Sequence, residues 1–444
     1  MRRVVLASLA LTWPLAACSG GGSSSEAVSP ITPTPTPAPT VSPSPTPTPA
    51  PTGTVAYLHT FAVADGDGAQ PNGPLLQASD GNFYGTTRSG GANLCRSDRI
   101  PCGTIFRMTP SGEESVLYTF GASPNDGYTP FGALIQGADG ALYGLASNGG
   151  TYGGGVAFRI TLSGTYTVLH SFGGPGEGLV PTGGLTLGSD GNFYGATSSG
   201  GANHCANIPQ NGANCGTIFR MTPAGAVTTL YSFGSTGSDG TTPLGPVLRT
   251  ADGTIYGTTS LGGATNGGTI FRLSTEGKLT TLYTFGVSRT DPVAPQGSLI
   301  LGPDGAFYGT TPSGGGGNCQ YGCGTVYRID QAGKLTIVYA FGLTDSMDGR
   351  GPSAVLTLGK DGYLYGTTRS GGQNQGGTVF RLSGTGTLAT LFSFGPMQKQ
   401  PYDPETGVIE GKDGALYGTT FYNEGLGGVG ARFGSGTAYR LTFR

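Results

Sequence analysis

Six cysteines fall as three close pairs: Cys95 with Cys102, Cys205 with Cys215, and Cys319 with Cys323. Six acids each stand four residues before a proline: Asp67, Asp126, Glu177, Asp239, Asp291 and Asp348. Paired thiols can oxidise to disulfides that pin a loop, or bind zinc as thiolates. The spacing differs from pair to pair and no histidine pair accompanies them, so a disulfide framework in an exported chain is expected. Carboxylates recurring on one face could hold calcium or the hydroxyls of a sugar, in competition with capping of their own turns. Asp403 stands in a shorter version of the same loop.

Tyr152, Tyr321, Phe421 and Tyr422 fall near loop tips, where aromatic rings could stack on sugars. His59 and His170 replace the tyrosine of a recurring "LYTF" strand and are expected to pack, while His204 stands alone beside Cys205. No Ser/His/Asp order, HExxH helix or phosphate-cradling loop is present, so no catalytic residue is assigned. Asp345 with Asp348 is the one local acid pair that a catalytic reading would test. No cofactor is expected, calcium on the carboxylate ring being the exception, and a metal site is otherwise unknown.

These residues must be positioned by a repeat. "DGNFYGTTRSGG", Asp80 to Gly91, returns in seven versions whose aspartates are Asp80, Asp139, Asp190, Asp252, Asp304, Asp361 and Asp413, at spacings of 59, 51, 62, 52, 57 and 52. Each unit reads as four short strands joined by Gly, Asp or Pro turns, the Asp-Gly pair suiting a hairpin. The fourth strand recurs as "VLYTF", "VLHSF", "TLYSF", "TLYTF", "IVYAF" and "TLFSF", but the seventh unit ends before one. "TVAYLHTF", Thr54 to Phe61, precedes the first unit and supplies it. An all-β, seven-bladed β-propeller with four-stranded blades is predicted, its N-terminal strand completing the last blade and leaving no open sheet edge. The tyrosine of each repeat, from Tyr84 to Tyr417, is expected to pack between blades. The arginine ending each third strand, from Arg107 to Arg440, is expected to pair with turn acids between blades.

The motif "DGxxYGTTxxGG…GTIFRxTxxGxxTxLYxF" in tandem resembles the bacterial choice-of-anchor tandem repeat GloVer-containing proteins. The resemblance covers about residues 54 to 444. It implies a surface location and varied anchors, and it brings no established activity or catalytic residues.

Residues 1–18 read as a bacterial lipoprotein signal: Arg2 and Arg3, a short apolar run, then "LAAC" placing Cys18 for lipidation. Residues 19–53, Gly/Ser-rich and then Pro/Thr-rich, read as a disordered linker without a fold of its own. Residues 54–444 read as the propeller. Loss of Arg2 and Arg3 with the signal takes the formal charge from −2 to −4, and no basic tract argues for nucleic acid. The only tryptophan, Trp13, lies in the signal.

The function expected is a lipid-anchored binding module, on the outer membrane or cell surface, monomeric, with a glycan or an envelope protein on its loop face. The alternative is a polysaccharide lyase or glycosidase in which channel carboxylates and an arginine act together. Catalysis would demand unlike residues in different blades, where a scaffold stays nearly sevenfold.

Overall fold

The computed structural model describes residues 52–443, apart from 63, 65, 96–99, 204, 206–214, 237, 289, 318, 321, 344–346, 396–400 and 424–434. Cys18, residues 19–51 of the expected linker, His204, Tyr321 and Asp345 therefore lie outside the described residues.

Among the described residues, seven antiparallel sheets of four or five strands form the blades, with three two-stranded sheets beside them. Blade three shows the unit in full: Gly178–Leu187, Phe193–Gly200, Thr217–Met221 and Val227–Ser232, each strand paired with the next. Elsewhere the first strand breaks in two, as Gly68–Pro71 and Leu76–Gln77, both still paired with Phe83–Gly90. Blade seven contains Ile409–Glu410, Leu416–Thr420 and Thr437–Phe443, and its fourth strand is Gly53–Thr60, in register from Gly53 opposite Phe443 to Thr60 opposite Thr437. The displaced strand thus closes the ring as the sequence predicts.

Blades stack face to face, so inner strands are buried on both sides. The third strand reads Thr-Ile-Phe-Arg-Met in blades one and three, and only its arginine reaches solvent. Six of the seven repeat tyrosines bond their own turns, as Tyr84 does to Asp80 at 2.8 Å and Tyr365 to Asp361 at 2.7 Å. Tyrosine rings of the repeat pack on the next blade: Tyr143 on Phe193, Tyr256 on Phe307 and, across the closure, Tyr417 on Phe83 at 4.2 Å. One element differs from expectation. Arg159, Arg328 and Arg440 pair with Asp139, Asp304 and Asp413, the turns of their own blades and not of a neighbour. Strands two and three are adjacent in register there, so the guanidinium meets its own turn first.

Near the axis, glycines of the first strands approach neighbouring backbone: a Cβ on Gly73 would lie 2.3 Å from the carbonyl oxygen of Gly132, and one on Gly132 2.5 Å from Gly183. Only glycine permits that approach.

Candidate functional site on the loop face

Two positions per blade carry unlike side chains on a constant frame. The first precedes the repeated proline: Gln70, Thr129, Val180, Thr242, Ala294, Gly351 and Asp403. All seven are left-handed, the six non-glycine residues with φ from 54° to 60° and Gly351 at 67°. Such a conformation costs on the order of 1–3 kcal/mol and persists only where surroundings enforce it. Here the amide donates to the preceding blade: Thr129 to Cys102, Val180 to Gly154, Ala294 to Gly267 and Asp403 to Gly376, at 2.8–2.9 Å. The proline that follows packs on a third-strand glycine of that blade, as Pro130 does on Gly103.

The second position ends the second strand, eighteen residues later: Arg88, Ser147, Ser198, Ser260, Pro312, Arg369 and Phe421. The members of a pair are joined through backbone, as in Phe421 N–H to Asp403 O at 2.9 Å and Ser260 N–H to Thr242 O at 3.1 Å. Turn, proline and glycine hold the backbone fixed while the side chains vary.

Blades seven, one and two bring these positions together around a cavity of ≈ 340 Å³ whose walls include Gln70, Arg88, Ser89, Tyr128, Thr129, Asn148, Phe421 and Tyr422. Ser89 Oγ meets Gln70 Oε1 at 3.2 Å. Tyr422 stacks on Tyr402 at 5.2 Å and takes the edge of Phe421 at 4.8 Å, which presents a rigid aromatic wall opposite hydrogen-bonding groups. The Cys95–Cys102 disulfide borders this cavity through Cys95.

Residues of all seven blades line a second cavity, of ≈ 160 Å³, on the axis. Arg369 of blade six there pairs with Asp403 and Glu405 of blade seven. Burial pushes the carboxyls of both acids up, against the pull of Arg369. Arg88 adds a second cationic influence on Glu405. Asp403 therefore belongs to the left-handed position and not to the set of capping acids, whose place four residues before Pro404 is held by Gln400.

Five of the six acids of the sequence pattern accept hydrogen bonds from their own loops and fourth strands. Asp126, Asp239 and Asp348 are buried. Asp126 accepts from Tyr118, Gly121, Ala122 and Gly127, Asp239 from Tyr231 and Ser235, Asp291 from Tyr283 and Val287, and Asp348 from Tyr339 and Gly342. Glu177 meets Gly174 and His170. Each of these five carboxylates thus caps the loop that carries it. Tyr152 is exposed at a loop tip in blade two, whereas Phe421 is buried in the cavity wall instead of standing at a tip.

The three disulfides are formed: Cys95–Cys102, Cys205–Cys215 and Cys319–Cys323. The carbonyl of the second cysteine in each accepts from the next blade, Cys102 from Thr129, Cys215 from Thr242 and Cys323 from Gly351, so each disulfide anchors a joint beneath the loop face. Such bonds are the signature of proteins that mature outside a reducing cytosol. The sequence reading missed the two variable positions. Aligning the repeats on the proline and reading what changes, rather than what repeats, would have found them.

No curated protein matches the chain at a significant level. Among solved structures, a streptogramin B lyase is similar at 15% identity with a TM-score of 0.54, covering 88% of this chain and 98% of that one. A catalytically inactive virginiamycin B lyase from Staphylococcus aureus, solved with quinupristin, is similar at 18% identity and TM-score 0.55, covering 88% and 99%. The extracellular domain of a one-component system from B. thetaiotaomicron is similar at 11% identity and TM-score 0.51, covering 86% of this chain and 40% of that one. At these identities the likeness is one of fold, the β-propeller. The model of the Gloeobacter/Verrucomicrobia repeat matches residues 47–209 and 206–433, and the chain belongs to that repeat family.

Proposed function

We propose that the protein is an extracytoplasmic binding module that takes a glycan in the cavity between blades seven, one and two. The observation that carries this reading is the departure from sevenfold symmetry: an aromatic wall from blade seven faces Gln70, Arg88 and Asn148 on a frame otherwise repeated around the ring. Sugars are recognised by that pairing of a flat apolar surface with a few directed polar groups. The test is binding of the purified protein to an array of bacterial, plant and host glycans, with Tyr422→Ala and Arg88→Ala as partners. Reproducible binding that both substitutions abolish, with melting unchanged, supports the reading. Silence across the array rejects it and turns attention to envelope proteins.

Anchoring through a lipid on Cys18, at the outer membrane or cell surface, completes the proposal. Metabolic labelling with a fatty acid, lost in Cys18→Ser, is its test.

A second reading, a polysaccharide-active enzyme, draws on Arg369 with Asp403 and Glu405. These are unlike groups from two blades with carboxyl pKa values raised by burial, as an acid catalyst requires. Turnover of any bound glycan that disappears in Glu405→Gln while binding persists would favour it.

A further inference from the structure

The seam where the N-terminal strand closes the ring contains a side-chain cluster that the other blades lack. In the interfaces between blades one to six the fourth strands supply an aromatic or histidine, a capping acid and an apolar or aromatic residue from the next blade. Tyr118, Asp126 and Tyr166 are one such set, with the tyrosine hydroxyl donating to Asp126 at 2.8 Å and the two rings stacked at 3.9 Å. The residue from the next blade is then Val227, Leu279, Leu335 and Leu388 in turn. At the seam the corresponding three are His59 of the closing strand, Asp67 and Glu114. An acid thus occupies a position that is apolar or aromatic in every other blade, Val55 of the closing strand included.

The geometry brings the three together. His59 Nε2 lies 3.5 Å from Asp67 Oδ2 and 4.0 Å from Glu114 Oε2, and among the described residues this is the one group of three such side chains whose donor atoms all lie within 4.8 Å. The side chains of Asp67 and Glu114 are 7% and 9% exposed. Yet His59 Nε2, Asp67 Oδ1 and Glu114 Oε1 are buried without a hydrogen-bond partner. Burying such groups unpaired is costly, and two carboxylates side by side repel. Burial, then the charge of Asp67, push the Glu114 carboxyl up to about 7 against the pull of His59.

We propose that His59, Asp67 and Glu114 form a site for one divalent transition-metal ion that clasps the closing strand to the first blade. A tetrahedral zinc ion with bonds of about 2.0–2.2 Å separates its ligand atoms by about 3.3–3.6 Å, which small side-chain rotations reach from the present positions. One imidazole with two carboxylates suits zinc or manganese, whereas calcium takes oxygen ligands alone. The ion takes His59 Nε2 and one oxygen of each carboxylate, and ties the closing strand, Gly53–Thr60, to the fourth strand of blade one, Glu114–Thr119.

The experiment is a Zn²⁺ titration of the chelator-stripped full chain against a competing chromogenic chelator, with Mn²⁺ and Ca²⁺ in parallel. Melting and amide exchange of residues 53–60 are followed with and without Zn²⁺. Expected are one Zn²⁺ per chain, a higher melting temperature and slower exchange in that strand. Glu114→Leu and His59→Tyr, which copy residues found at the same positions in other blades, are expected to fold and to lose about 100-fold or more in Zn²⁺ affinity. X-ray absorption of the loaded wild type, with one imidazole in an otherwise oxygen shell, reads the ligands without any variant. Failure of the wild type to take up stoichiometric Zn²⁺ or Mn²⁺, undiminished affinity in both variants, or preference for Ca²⁺ overturns the proposal.

Discussion

Pro71 of the first blade packs directly on the backbone of Gly436 in the last: a Cβ added to Gly436 would lie 2.3 Å from Pro71 Cδ and 2.4 Å from the carbonyl oxygen of Thr420. The same contact joins every neighbouring pair, from Gly103 with Pro130 to Gly377 with Pro404. At Gly436 alone it links the two ends of the chain. Gly436→Ala must therefore push the closing blades apart, at about 1–3 kcal/mol. Thermal melting is expected to show the loss, together with faster amide exchange at residues 53–60. An unchanged melting temperature would mean that the closure is slack.

Arg369 is expected to be indispensable to its two acids but not to the ring. Arg369→Ala leaves Asp403 and Glu405 half-buried without their cation, and removing one partner of such a set costs more than the set contributes. The melting temperature should fall, and Asp403→Asn on the same background should restore part of it. Restoration distinguishes charge repulsion from lost packing.

Reducing Cys95–Cys102 releases a short loop beside the cavity. Closing a loop of this length removes about 2–3 kcal/mol of chain entropy from the unfolded state. The Cys95→Ser, Cys102→Ser variant should be destabilised by about that amount. It should also lose glycan affinity, because Cys95 and Pro101 line the cavity; equal affinity would exclude the cavity as the site.

Asp190 links the turn of blade three to Tyr194, Asn192 and Arg249. Burial alone would raise its pKa, but those hydrogen bonds and the arginine charge outweigh it and hold the carboxyl at about 2. A carboxyl lowered on folding contributes stability that is complete above its unfolded value of 3.8 and lost as pH falls through its folded value. Acid denaturation of Asp190→Asn should therefore be less steep than that of wild type between about pH 4 and 2, with no difference in slope near neutrality.

The architecture was legible because it is written seven times, and closure because one fourth strand is missing at Arg444 and present at Thr54. Spacing along the chain was enough for both. Direction was not: the arginines were expected to reach a neighbouring blade, yet the register of strands two and three sets Arg440 against Asp413 of its own turn. Phe421 shows the same limit, since a residue in the loop region by sequence proved to be a buried wall. Glu114 was legible in principle, as the one acid at an otherwise apolar or aromatic position. Its significance depends on His59, which only the closing of the ring brings beside it.

Asp126 tests whether the acids before the prolines serve folding or binding. Its carboxylate is buried and accepts the Tyr118 hydroxyl and the amides of Gly121, Ala122 and Gly127. Hydrogen bonds to a charged acceptor contribute about 1.5–3 kcal/mol each when a partner is lost and its mates stay buried. Asp126→Ala should thus be among the most damaging single changes in blade two, read as a large fall in melting temperature. Asp126→Asn keeps the size and some of the acceptance, and should fall between the two. If the acid instead served a ligand, melting would be nearly unchanged and the loss would appear in binding, as is expected for Tyr422→Ala. The two variants side by side therefore assign the acids to the loops they cap or to whatever the loop face holds.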